Sequence, residues 1–146
     1  MGLVLDEGTS RPSDPIGNLV AGDPVSVSEK LTLRSIAAVL AADEIGAVLV
    51  HGDRDAIGIV SERDLARALA GDADPDAVWS ADVMSEPLRT VDRDATILSV
   101  AIGMVTDDVR HMAVTSAGQV IGVVSSRDVF RVLTVDALNS TGAAGA

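Results

Sequence analysis

An α/β (α+β) fold of two β-α-β-β-α repeats, packed with pseudo-two-fold symmetry, is predicted for this 146-residue chain by three observations. The stretch 58–69, GIVSERDLARAL, returns at 122–133 as GVVSSRDVFRVL, and because 122 − 58 = 64 the segment 25–70 aligns on 89–134 without a gap. Identical residues fill 14 of those 46 positions, and most of the others exchange like for like, which marks an internal duplication. Within each copy, apolar runs of strand length alternate with apolar stripes at helical spacing. Finally, the chain is 47% hydrophobic but only 1% aromatic, so its core is built from Val, Ile, Leu, Ala and Met, which suits thin layers of helix on sheet.

The elements follow in order. Residues 25–27 read as a short extended piece. Leu33, Ile36, Ala37 and Leu40 then fall at i, i+3, i+4 and i+7, predicting a helix over about 31–43, and Ile97, Val100, Ala101 and Met104 repeat the stripe. Two apolar runs, 47–50 and 57–60, are joined by the polar turn HGDRD; their counterparts MAVT and VIGVV are joined by SAG. A second helix is predicted from about Glu62 to Ala70, burying Leu65, Ala68 and Leu69. A half of about 60 residues supplies only a marginal core, so the two halves are expected to pack on each other. The boundaries predicted are a disordered tail at 1–13, repeat 1 at 14–73, a linker at 74–81, repeat 2 at 82–136 and a second disordered tail at 137–146.

Composition excludes several function classes. With no Cys there is no disulfide, thiolate zinc site or cysteine nucleophile. A net charge of −11 opposes binding to nucleic acid or anionic membranes through bulk electrostatics, so any anionic ligand must be held by a local cluster of Arg and backbone N–H groups. The beginning of the chain reads as neither signal peptide nor myristoylation signal, and no apolar run reaches membrane-spanning length; a soluble, cytoplasmic protein is expected. Asp72, Asp74 and Asp76 mimic the start of a calcium loop, but Ala77 stands where Gly is needed and Val83 where Glu is needed, which leaves a solvated acidic surface. The two His residues do not occupy matching positions, so metal binding is not expected either.

Chemistry concentrates in the repeated Ser-x-x-Asp. Ser61 with Asp64, and Ser125 with Asp128, have the spacing of a capping box, in which the Ser oxygen accepts from the backbone N–H three residues on and the carboxylate reaches back to the cap. The same strand-to-helix corner also aims free N–H groups and the positive end of a helix dipole outward, which suits a phosphate or a polar sugar. Gly58 and Gly122 lack a Cβ, so a flat ring has room to approach the backbone there. Arg63 and Arg127 sit beside the Asp residues as surface residues or anion clamps.

Gly58-Ile-Val-Ser61-Glu-Arg-Asp64 and Gly122-Val-Val-Ser125-Ser-Arg-Asp128 resemble the Gly-hydrophobic-x-Ser/Thr-x-x-Asp signature of the CBS domain, and DVMSEPLRTV at 82–91 resembles the Val-Met-Thr-x-x-Pro segment that leads into it. The likeness covers about 15–135 and is that of one tandem CBS pair, a stand-alone Bateman module. The resemblance implies that the Asp accepts from ribose hydroxyls, that the Ser contacts ribose or phosphate, and that apolar residues sandwich adenine. It also implies phosphate contacts from Arg110 and His111, which resemble an Arg/His pair found before this strand in the family; the first copy has Gly46-Ala47 there. The leading segment of the first copy departs from the second, with Val20-Ala21 in place of Met84-Ser85 and its Pro one position later.

The resulting expectation is a non-catalytic regulatory module that binds an adenosine-containing ligand (AMP, ADP, ATP, S-adenosylmethionine or NAD) in the cleft between the repeats, with the Ser125 and Asp128 corner ranked first. A homodimer formed through CBS–CBS packing, and an unknown regulated protein, are the implied partners. The alternative is a ligand-free scaffold for dimerisation or protein–protein interaction. Catalysis by Ser61 with His51, or by Ser125 with His111, is not expected, because neither pair shows a nucleophile elbow or an orienting third group.

Overall fold

The computed structural model describes residues 10–144. Two mixed three-stranded sheets with flanking helices give the α+β fold that the duplication predicts. The described chain divides into two compact units, one made of 22–90 and the other of 10–21 together with 91–144.

In the unit of 22–90, β1 (Ser26–Ser28) runs parallel to β2 (Ala47–His51), and α1 (Leu33–Asp43) makes the crossover between them. α1 begins where Thr32 accepts from the Ser35 N–H, and it stops where Glu44 turns left-handed and donates its N–H to the Leu40 carbonyl. Leu33, Ile36 and Leu40 are buried under the sheet, whereas Ala37, counted in the stripe, is exposed. β3 (Ala56–Ser61) returns antiparallel to β2 and leads directly into α2 (Glu62–Ala70). The core is Val27, Leu33, Ile36, Leu40, Val48, Val50 and Val60. Leu69, expected inside, is 54% exposed, because the buried side of this short helix is supplied by the half-buried Leu65 and Ala68.

The same unit includes the segment ahead of the second repeat. α3 (Ser80–Val83) is anchored by Ser80, which is fully buried and donates its hydroxyl to the Ser28 carbonyl at 2.6 Å and its N–H to the Leu31 carbonyl at 2.8 Å. Burying a hydroxyl is tolerable only with such a partner. Two residues after α3, Ser85 exchanges both backbone hydrogen bonds with Ile59, adding an isolated bridge to the outer side of β3.

The other unit repeats this arrangement around β4 (Thr90–Asp92), α4 (Ile97–Asp107), β5 (His111–Ser116), β6 (Gln119–Ser125) and α5 (Ser126–Ala144). Thr96 caps α4 and Asp108 closes it in the left-handed conformation, as Thr32 and Glu44 do for α1. β5 and β6 form a hairpin turning on Ala117 and Gly118, both at positive φ, which is the geometry of a type I′ turn. Here the segment ahead of the first repeat fills the α3 role: a 3-10 turn at Ile16–Leu19 buries Ile16 completely, and the Ile16 N–H donates to the Ala95 carbonyl. The core joins Ile16 to Ile97, Val100, Met104, Met112, Val114, Val124, Val129 and Val132.

Both expected tails are shorter where the structure describes them. Residues 10–13 are held to α4, since Leu98 donates its N–H to the Pro12 carbonyl and Ile97 donates to the Asp14 carbonyl; the rest of that expected tail, 1–9, lies outside the described residues. At the other end α5 continues through 137–144. The Ser, Thr and Gly residues there read as tail composition, but no Pro stops the helix, and the Thr141 hydroxyl donates back to the Ala137 carbonyl. Among the described residues no helix is long and apolar enough to cross a membrane.

Candidate functional site

The two strand-to-helix corners have nearly the same geometry. At the first, Asp64 Oδ2 accepts from the Ser61 N–H at 2.8 Å and from the Ser61 hydroxyl at 3.0 Å, while Ser61 Oγ accepts from the Asp64 N–H at 3.3 Å. At the second, Asp128 Oδ2 accepts from the Ser125 N–H and hydroxyl at 2.9 Å each, and Ser125 Oγ accepts from the Asp128 N–H at 3.2 Å. Both Ser-x-x-Asp pairs are therefore capping boxes, and the carboxylates spend one oxygen each on the start of their own helices. The other oxygen, Oδ1, has no hydrogen-bond partner among the described residues and remains an acceptor at the half-buried mouth of each corner.

What surrounds the corners differs between the units. β5 pairs with β6 so that His111 lies opposite Ser125, and the Ser126 N–H donates to the Arg110 carbonyl at 2.7 Å. Hence Arg110 and His111 stand beside the Ser125 and Asp128 corner, as the sequence suggests, with Arg110 exposed, His111 half-buried and Arg127 exposed on the first turn of α5. In the other unit Ala47 lies opposite Ser61 and the Glu62 N–H donates to the Gly46 carbonyl, so the same backbone offers no basic side chain there except the half-buried Arg63.

The glycines serve a purpose that sequence reasoning did not assign. A Cβ on Gly58 would lie 2.7 Å from Met84 Sδ and 2.9 Å from the Ser85 carbonyl oxygen, and a Cβ on Gly122 would collide with the Val20 side chain. The space foreseen for a flat ring against these two backbones is thus taken by Met84 and Val20. Since 84 − 20 = 64, these residues occupy matching positions of the duplication. Their shared offset and apolar character were the available signal, although the Val-for-Met exchange reads as a departure when the leading segments are compared by motif.

Of the acidic residues between the repeats, Asp76 receives a bidentate pair of hydrogen bonds from Arg34, at 2.6 and 3.0 Å, on the exposed surface of α1. This hydrogen bond holds the Asp76 carboxyl below its ordinary range and raises Arg34. Asp74 Oδ1 accepts from the Asp76 N–H, an Asx turn that orders the segment.

Comparison with known proteins agrees with the geometry. The family model of the CBS domain matches twice, at 16–71 and 80–135. An uncharacterised protein of Methanopyrus kandleri is 30% identical over 120 residues, which are 80% of this chain and 61% of that protein, so this chain spans less than two thirds of that relative's length. Hypoxic response protein 1 of Mycobacterium tuberculosis is 29% identical over 114 residues, covering 77% of this chain and 80% of that one. Among solved structures, a CBS domain protein of Pyrobaculum aerophilum complexed with AMP superposes with a TM-score of 0.75 at 27% identity, covering 85% of this chain and 98% of that one.

Proposed function

Because this chain belongs to the CBS domain family and carries two copies of the domain, we propose that it is a non-catalytic regulatory module that binds an adenosine-containing ligand. The observation that carries this reading is the Ser125 and Asp128 corner, where Asp128 Oδ1, an acceptor without a partner among the described residues, stands in one unit with Arg110 and His111. The carboxylate oxygen accepts from a ribose hydroxyl, while Arg110, His111 and Arg127 neutralise a phosphate that the net charge of −11 would otherwise repel. Ser61, Asp64 and Arg63 form the second, less basic site. The complex of the Pyrobaculum protein with AMP supports the ligand class. The ligand regulates by binding one arrangement of the module better than another, and the module acts as a homodimer on a partner protein.

A second reading is favoured by a specific observation. Both Asp residues are engaged in capping boxes, and Met84 and Val20 fill the space over the glycines, which is what a ligand-free scaffold requires. A thermal-shift panel of AMP, ADP, ATP, S-adenosylmethionine and NAD separates the two. A sensor gains about 2.7 kcal/mol at 100 times Kd, and Asp128→Ala loses that gain. No shift with any compound leaves the scaffold.

A further inference from the structure

We infer that Arg131, one helical turn on from the Ser125 and Asp128 corner, contacts a second phosphate of the ligand, so that this corner takes a nucleoside di- or triphosphate in preference to a monophosphate. The inference rests on the ligand reading given above and names the length of the phosphate chain. Arg131 is exposed on α5, four residues on from Arg127 and three from Asp128. Residues at these spacings are neighbours on a helix surface, no more than about 6 Å apart along the axis. Long side chains on a helix lean toward its N-terminus, so Arg131 covers the turn that carries the corner.

Nothing within the fold uses this guanidinium. The side chains of Arg110, Arg127 and Arg131 have no hydrogen bond or ion pair among the described residues, although Asp and Glu outnumber Lys and Arg by 22 to 11 in the chain. Asp128 stands at a spacing where opposite charges pair on a helix, yet its Oδ2 serves Ser125 and its Oδ1 stays open. The duplication sharpens the point. Since 131 − 67 = 64, Arg67 is the matched residue, and it has a structural reason: it is the basic residue in the last turn of α2, at the negative end of the helix dipole. α5 runs on past Arg131 to Ala144, so that reason is absent in the second copy, where the arginine nevertheless stands.

Position and charge select the ligand. Arg110 and Arg127 lie level with the corner, because the Ser126 N–H donates to the Arg110 carbonyl and Arg127 follows Ser126. A phosphate monoester carries a charge of about −1.5 to −2 at pH 7, which these two guanidiniums match while Asp128 faces the uncharged sugar. Arg131 lies farther along the helix and is in excess for one phosphate, which is the place and the charge that a longer phosphate chain fills. The first corner lacks this surplus. Gly46 and Ala47 replace Arg110 and His111, and Glu62 replaces Ser126, so an acid offsets one of the arginines on α2.

Titration calorimetry with AMP and ADP tests this. The wild type is expected to bind ADP about tenfold or more tightly than AMP, the worth of one charge-assisted hydrogen bond. Arg131→Gln is expected to weaken ADP about tenfold and AMP by less than about twofold, with helical circular dichroism unchanged since the position is exposed. The preference for ADP should shrink as salt is raised in the wild type and be insensitive to salt in Arg131→Gln. Arg67→Gln, the matched change on α2, should keep the preference. A wild type that binds AMP as tightly as ADP, or that takes neither but binds S-adenosylmethionine, overturns the inference and leaves the adenosine ligand standing. An ADP preference that survives Arg131→Gln, or is lost equally in Arg67→Gln, does the same. A wild type that binds no adenosine compound overturns both.

Discussion

Replacing Gly58 with alanine introduces a single methyl group into a space already occupied from two sides. Met84 Sδ and Cγ lie 2.7 and 3.0 Å from the new Cβ, against the about 3.5–4.0 Å at which such atoms attract. A methionine side chain has three rotatable bonds and can retreat. The Ser85 carbonyl oxygen, 2.9 Å away, cannot, because it accepts from the Ile59 N–H and its own residue donates back to the Ile59 carbonyl. Overpacking of this kind costs about 1–3 kcal/mol, and the unyielding backbone places Gly58→Ala at the upper end, about 2–3 kcal/mol. The three atoms nearest a Cβ at Gly122 all belong to the side chain of Val20, not to backbone, and Gly122→Ala is expected to cost about 1–2 kcal/mol. Thermal melting reads these as losses of about 3 °C per kcal/mol for a chain of this size. A double-mutant cycle sharpens the test: in the Gly58→Ala background, Met84→Ala should cost about 1 kcal/mol less than it does alone, since removing the long side chain relieves part of the clash. A Gly58→Ala protein as stable as the wild type, or strictly additive effects with Met84→Ala, would refute the claim that these glycines exist to admit the segment leading into the other repeat.

At the β5–β6 turn, Ala117 adopts φ +50°, so Ala117→Asn, which supplies the Asn-Gly pair preferred for this turn, is expected to stabilise by about 0.5–1 kcal/mol in urea unfolding. Ser80→Ala removes the buried hydroxyl bond to the Ser28 carbonyl, which keeps the Leu31 N–H as a donor, and is expected to destabilise by about 0.5–1.5 kcal/mol in the same assay. The depressed Asp76 carboxyl contributes whatever stability it has above its unfolded pKa and loses it as pH falls through the folded one; an NMR titration should show Asp76 protonating below an unpaired aspartate, and Arg34→Ala should move its midpoint upward. An unmoved midpoint would mean that the pair does not persist in solution.

The duplication was legible because an ungapped offset of 64 residues preserves Thr32 and Thr96 as helix caps and keeps Leu33, Ile36 and Leu40 in phase with Ile97, Val100 and Met104. Helix stripes and hairpins rest on near-neighbour spacing, and sequence carries that directly. Which repeat a leading segment packs on is a tertiary matter. Nothing local to Val20 indicates that it lies over Gly122, about a hundred residues away, although Met84 over Gly58 follows by the same offset once either is seen. At the corners, the types of residue were legible but their state was not: Ser-x-x-Asp is equally a cap and a sugar contact, and only coordinates show that one carboxylate oxygen serves the cap while the other stays available. Leu69 and Ala37 were placed inside by periodicity alone, which fixes a face to about one residue in a turn and cannot register how narrow the neighbouring sheet is. The stripe of Ile97, Val100, Ala101 and Met104 already sets Leu98 and Ile102 off the buried face, and they are exposed.

Titration calorimetry of AMP, ADP, ATP, S-adenosylmethionine and NAD into the wild type, Asp128→Ala and Asp64→Ala bears most directly on the corner of Ser125 and Asp128. At least one compound should bind the wild type saturably. Loss of a charge-assisted hydrogen bond from the ribose is worth about 1.5–3 kcal/mol, so Asp128→Ala should weaken binding about tenfold or more while still unfolding cooperatively, and Asp64→Ala should have the smaller effect. Absence of binding by all five, or an affinity indifferent to Asp128, would contradict the sensor.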